Sequence, residues 1–125
     1  MTLDEILKNI LNEEKVLRPK ISGLKRGIWV DEGGTHNKGG HANRIKVNNF
    51  KQAYSSFLSD ADSISITVED NPDVKIKDGQ SLKIPLSEIN AIKTFILQNK
   101  ELLNQLDKQE ISFEDFKRNL TKYHD

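Results

Sequence analysis

Apolar residues recur at helical spacing near the start of the chain. Leu3, Ile6, Leu7, Ile10 and Leu11 follow the i, i+3, i+4 rhythm of one helical face and predict an amphipathic helix over residues 3–17. Thr2 and Glu5 have the spacing of a capping box, and Pro19 is expected to end the helix because it disfavours helical geometry at Arg18. Ile28-Trp29-Val30 is apolar at every position, as a central strand would be. Asn43, Ile45 and Val47 alternate with Arg44 and Lys46, the pattern of a half-buried strand. This parity puts His41 on the face of Ile45 and Val47, and Arg44 and Lys46 on the other.

Phe50, Ala53, Tyr54, Phe57 and Leu58 return to helical spacing, with Asn49 as an N-cap. Ile64, Ile66 and Val68 alternate with Ser65 and Thr67, a clean strand, and Asn71-Pro72-Asp73 reads as a turn. Val74-Lys75-Ile76 and Leu82-Lys83-Ile84 flank Asp78-Gly79 and suggest a hairpin. An odd-length loop would pair Ile76 with Leu82 and Val74 with Ile84, which keeps their side chains on one face. Pro85-Leu86-Ser87-Glu88 reads as a helix start capped by Ser87. Ile89, Ile92, Phe95, Ile96, Leu102, Leu103 and Leu106 then mark the apolar stripe of one long helix. A short helix starts at Ser112, where Ser112 and Asp115 resemble a capping box, with Phe113, Phe116, Leu120 and Tyr123 on one side.

The expected fold class is α+β: a small, mostly antiparallel sheet of four or five strands. An N-terminal helix and a long C-terminal helix pack on one face, and residues 1–125 form a single domain.

Composition narrows the functional classes. The chain has no cysteine, which removes disulfide scaffolds, thiolate zinc sites and cysteine nucleophiles. Nineteen basic and nineteen acidic residues cancel, so no global field favours nucleic acid. No apolar stretch is long enough to span a bilayer, and the acidic start lacks a signal-peptide pattern; the expected compartment is the cytoplasm. Abundant Lys, Asn and Ile hint at an AT-rich bacterial or phage genome.

Candidate chemistry concentrates between the Ile28–Val30 and Arg44–Val47 runs. Residues 31–41 hold four of the seven glycines and two of the three histidines. His36 and His41, with Asp31 or Glu32, are the possible metal ligands, with His124 or Asp62 as a third; the spacing is not the helical His-Glu-x-x-His arrangement. The alternative is two solvated histidines in a polar loop. Glycine-rich backbone can also turn successive amides toward an anion, with Thr35, Lys38 and Arg44 as binding residues. The Gly-Lys-Ser/Thr ending of a P-loop is missing, and Asp31 and Glu32 oppose an anion. As catalytic residues, His36 and His41 would act as general base and acid, with Lys38 or Arg44 stabilising developing charge, as in a metal-independent ribonuclease. No cofactor is expected.

This loop and the residues after it resemble a family of short bacterial domains of unknown function that carry a His-x-Pro-Pro-His-x-His-Val signature between two strands. The matching residues are His36-Asn37, His41, Val47, the stretch from Pro72 to Gly79, and Gln98-Asn99-Lys100-Glu101-Leu102-Leu103. Lys38-Gly39-Gly40 replaces the prolines with one extra residue, and Asn43 stands where the second close-spaced histidine would be. The resemblance implies a small stand-alone protein, in a family some of whose members are suspected of belonging to toxin–antitoxin or mobile-element loci. The leading expectation is a binding or regulatory protein acting through a protein partner or as a homo-oligomer. The alternative is a small nucleic-acid-processing enzyme, ribonuclease-like or metal-dependent, centred on His36 and His41.

Overall fold

A computed structural model of the protein describes residues 15–31, 43–52, 58–59 and 61–125. Five strands, β1 (Lys15–Leu17), β2 (Ile28–Val30), β3 (Arg44–Asn48), β4 (Ser63–Thr67) and β5 (Val74–Lys75), form one antiparallel sheet in sequence order. A single helical turn, α1 (Pro19–Ser22), joins β1 to β2. Three helices follow the sheet: α2 (Leu86–Gln98), α3 (Lys100–Asp107) and α4 (Phe113–Asn119).

Strand parity explains where the core lies. Ile45 faces Ile66, Val47 faces Ile64, and Leu17 faces Ile28 across the ladders. All six side chains are fully buried, and they share one cluster with Ile89, Ile92, Phe95, Ile96, Leu103, Leu106 and Phe116 from the helices. Burying each such side chain stabilises the fold by about 1.5–3 kcal/mol. The opposite face carries the cross-strand row Val16, Trp29, Lys46, Ser65 and Lys75. Trp29 is buried on that face at 7% exposure, outside the main cluster, and so serves sheet packing. Arg44 and Lys46 lie on the face opposite Ile45 and Val47, as the alternation requires.

The α+β class with an antiparallel sheet is observed, but several elements differ from expectation. Residues 15–17, placed at the end of an N-terminal helix, form β1, because pairing with Ile28–Val30 buries Leu17 and outweighs the helical spacing before it. The rest of that helix, with Thr2 and Glu5, lies outside the described residues. Pro19 starts a turn of helix instead of ending one: its missing amide costs nothing at the first helical position, and Arg18 is extended, at φ −76° and ψ 156°. Gly23 terminates this turn at φ +84° with its amide on the Pro19 carbonyl, a left-handed geometry that suits glycine.

Phe50, Lys51 and Gln52 are not helical, so among the described residues Asn49 does not open a helix; residues 53–57 lie outside the described residues. The Asn49 amide instead reaches across to residues 81–83, giving Nδ2–H to the Ser81 carbonyl (2.8 Å) and accepting from the Lys83 amide (2.7 Å). That contact replaces the expected hairpin. Only Val74 and Lys75 are strand, paired with β4, while residues 82–84 join no ladder. The turn at Asp78-Gly79 does form, with Gly79 at φ +82° and the Gln80 amide on the Lys77 carbonyl. Because the hairpin does not close, Ile76 and Leu82 stay exposed, at 40% and 38%.

Helix α2 begins at Leu86 with Pro85 in the cap position, so Ser87 sits inside the first turn and does not cap it. The expected long helix is two helices divided at Asn99. Asn99 is 1% exposed and adopts φ −121°, ψ 15°. Its side-chain Nδ2–H groups bond the Phe95 carbonyl (2.9 Å) and the Thr121 carbonyl (2.9 Å), and its Oδ1 accepts from the Thr121 amide (2.6 Å). The tertiary bonds to Thr121 hold the amide of a residue that also competes locally for helix carbonyls. Ser112 caps α4 as expected, accepting from the Asp115 amide at 3.1 Å.

Candidate functional site

Residues 32–42 lie outside the described residues, and with them Glu32, Thr35, His36, Lys38 and His41. The flanks of the loop are described. Asp31 follows β2 and is 5% exposed. Asn43 precedes β3 and fixes its start. Its Nδ2–H groups bond the Leu103 carbonyl (3.1 Å) and Asn104 Oδ1 (3.0 Å), and its carbonyl accepts from the Val68 amide (2.9 Å). The loop therefore departs from the end of the sheet that adjoins α3. Arg44 is half-buried opposite Thr67, and its Nε–H is buried without a hydrogen-bond partner among the described residues.

The proposed third metal ligands do not join Asp31. Asp62 precedes β4 at the end where Ser63 pairs with Asn48, about 13 Å along β3 from Arg44. There it accepts from Ser59 Oγ and uses its carbonyl to hold the Asn49 amide. His124 is exposed and follows Tyr123, whose amide bonds the Ser22 carbonyl before β2 begins, again at the end away from Asp31. Among the described residues no group of three or more His, Asp or Glu is placed to hold a metal ion.

At that other end of the sheet, Arg26 organises a polar junction that local sequence patterning does not reveal. Its side chain is 5% exposed. Nε–H donates to Glu88 Oε1 (3.0 Å), Nη1 to the Asn48 (3.3 Å) and Phe50 (2.6 Å) carbonyls, and Nη2 to the Lys51 carbonyl (3.2 Å). One guanidinium thus ties the approach to β2, the exit of β3 and the first turn of α2, where Glu88 also complements the helix dipole. The partners lie 22 or more residues away, so only the position of Arg26 before an apolar strand could have drawn attention to it.

Beside this junction is a cavity of about 60 Å³ lined by Gly23, Arg26, Glu88, Ile92 and Tyr123. It has room for about two water molecules, well short of the roughly 300 Å³ of a typical metabolite pocket. Tyr123 gives its hydroxyl proton to Asp125 Oδ1 at 3.1 Å. Partial desolvation, aided by that bond and the carboxylate charge, raises the phenol pKa above its ordinary value.

Among the described residues, the most exposed large apolar side chains lie on α2. Leu86 is 68% exposed and Leu97 50%. Their spacing of about three helical turns puts them on one face, about 16 Å apart. Among the described residues no helix is long and apolar enough to cross a membrane.

No known protein family, curated protein or solved structure matches this chain.

Proposed function

We propose that this chain is a small cytoplasmic binding or regulatory protein, of bacterial or phage origin, that acts through a protein partner. The observation that carries the reading is the pair Leu86 and Leu97, two large apolar side chains left in solvent on one face of α2. Their burial in a complex would remove apolar surface from water, the usual source of binding free energy at an interface centre. The cancelling charge supports a protein rather than a polyanion as the partner. The test is capture by the tagged wild-type chain compared with Leu86→Glu/Leu97→Glu. A partner held by the wild type and lost by the variant, with the melting temperature unchanged, supports the reading. A partner held equally by both, or a monomer that captures nothing, overturns it.

A second reading places nucleic-acid processing at His36 and His41. It is favoured by Arg44, whose buried Nε–H has no partner among the described residues and, at the foot of the loop, suits an acceptor such as a phosphate oxygen. It expects His41→Ala to abolish RNA or DNA cleavage with little change in melting temperature. Absence of wild-type cleavage across a panel of substrates, with and without added metals, ends this reading.

A further inference from the structure

Residues 111–125 form a unit that packs on the rest of the described protein through Ile111, Phe113, Phe116, Leu120 and Tyr123 and through a few hydrogen bonds. Phe116 is fully buried in the core. The Thr121 amide and carbonyl bond the Asn99 side chain, and the Tyr123 amide donates to the Ser22 carbonyl at 2.7 Å. The ion pairs of α4, Lys117 with Glu114 and Arg118 with Asp115, are internal to that helix. The receiving surface is the Ser22–Gly23 turn, Asn99 and the core beneath α4.

The connection to this unit is strained. Gln109 is the sole non-glycine residue at positive φ among the described residues, at 61°. It occupies the position after the end of α3 that favours glycine. Its amide bonds the Leu106 carbonyl (3.0 Å) and the next amide, of Glu110, bonds the Gln105 carbonyl (2.8 Å), the double closure of a Schellman turn. A side chain there crowds the following carbonyl.

We propose that residues 111–125 exchange between two copies of this chain, with the Lys108–Glu110 connection as the hinge. Each copy's α4, Thr121 and Tyr123 then seat on the Ser22, Asn99 and core surfaces of the other. Every contact across this boundary is the same in the closed and exchanged forms, so the hinge and the chain concentration decide between them. Extending the hinge releases Gln109 from left-handed geometry, and strain in a short hinge is what favours exchange. The cavity beside Arg26 and Glu88 becomes composite, because Tyr123 and Asp125 come from the second copy. The inference is independent of the partner reading, since Leu86 and Leu97 are not among the exchanged contacts.

The absence of cysteine makes a direct test simple. Lys20 and Lys122 are both exposed, and Lys122 packs against Gly23, three residues after Lys20. Chains carrying Lys20→Cys or Lys122→Cys are mixed, refolded together at high concentration, separated by size and treated with a short bismaleimide. The expected result is a dimer fraction in which the two chains become covalently joined. Gln109→Gly, which removes the strain, is expected to weaken the dimer by about fivefold per hinge, about 25-fold in all. Gln109→Val, whose branched side chain resists positive φ, is expected to strengthen it. The proposal is overturned by a Gln109→Val chain that stays monomeric after refolding, by a dimer that yields no inter-chain link, or by a Gln109→Gly dimer as tight as the wild type.

Discussion

Asn99 and Thr121 bond to each other twice, as two facing residues in an antiparallel ladder do: the asparagine amide donates at 2.9 Å and accepts at 2.6 Å. The side chain takes the place of a strand. It ends α2, opens α3 and anchors the residues after α4, so one buried amide sets the course of three segments.

Replacing Asn99 by Ala removes these bonds and leaves the Thr121 groups without protein partners. We expect a loss of about 1–3 kcal/mol, read as a lower urea midpoint. Asn99→Asp keeps the acceptor for the Thr121 amide but sets its second oxygen against the Phe95 and Thr121 carbonyls in a buried position, and should cost at least as much as Ala. Equal stability of the Ala variant and the wild type would contradict this account of the α2–α3 break.

Arg26→Ala should be among the most damaging single substitutions. It leaves Glu88 unpaired in a nearly dry junction and three backbone carbonyls without their donor. Breaking one partner out of such a buried pair costs roughly 3–5 kcal/mol. Arg26→Lys should recover only part of this loss, because an ammonium cannot reproduce the planar fork. Chemical denaturation of the three proteins gives the ranking.

Gln109→Gly is expected to stabilise the folded chain by at most about 1 kcal/mol, since relief of left-handed strain is partly offset by the greater freedom of glycine when unfolded. Gly23→Ala should act in the opposite direction. Gly23 sits at φ +84°, and an added Cβ would lie 2.2 Å from the Tyr123 carbonyl oxygen. A cost of at least about 1–2 kcal/mol is expected, together with faster amide exchange at Tyr123.

Acid should weaken the Asp70–Lys100 contact between the β4–β5 connection and α3. The hydrogen bond from Lys100, and then its charge, hold the Asp70 carboxyl below the usual aspartate range. Its contribution to stability is therefore complete above the unfolded-state pKa and disappears as pH falls through the lower folded value. Both groups meet solvent, so the effect is small and shrinks with added salt. Carboxyl NMR titration should show Asp70 protonating at lower pH in the wild type than in Lys100→Met.

The elements legible in the sequence are those whose cause is local. Ile64 and Ile66 alternate with Ser65 because they face the apolar core, and Ser112 caps α4 through a bond only three residues long. The parity that separates Arg44 from Ile45 is likewise a property of adjacent positions. Elements set by distant partners were not legible. Lys15-Val16-Leu17 becomes a strand through Ile28–Val30, and the break at Asn99 answers to Thr121. The hairpin at Asp78-Gly79 stays open while Asn49, more than thirty residues away, holds its second arm. For the site, patterning located Arg44 and its face but passed over Arg26, whose burial depends on carbonyls of a distant segment.

The strand order has a kinetic consequence. Each strand of the sheet lies beside its neighbour in sequence, so the meander assembles through short loop closures. The bond from Tyr123 to Ser22 instead joins segments separated by most of the chain, the slowest kind of contact to nucleate. The meander and α2 should therefore acquire protection from exchange first in pulse labelling. The residues beyond α4 should lock last during folding and open first in the native state.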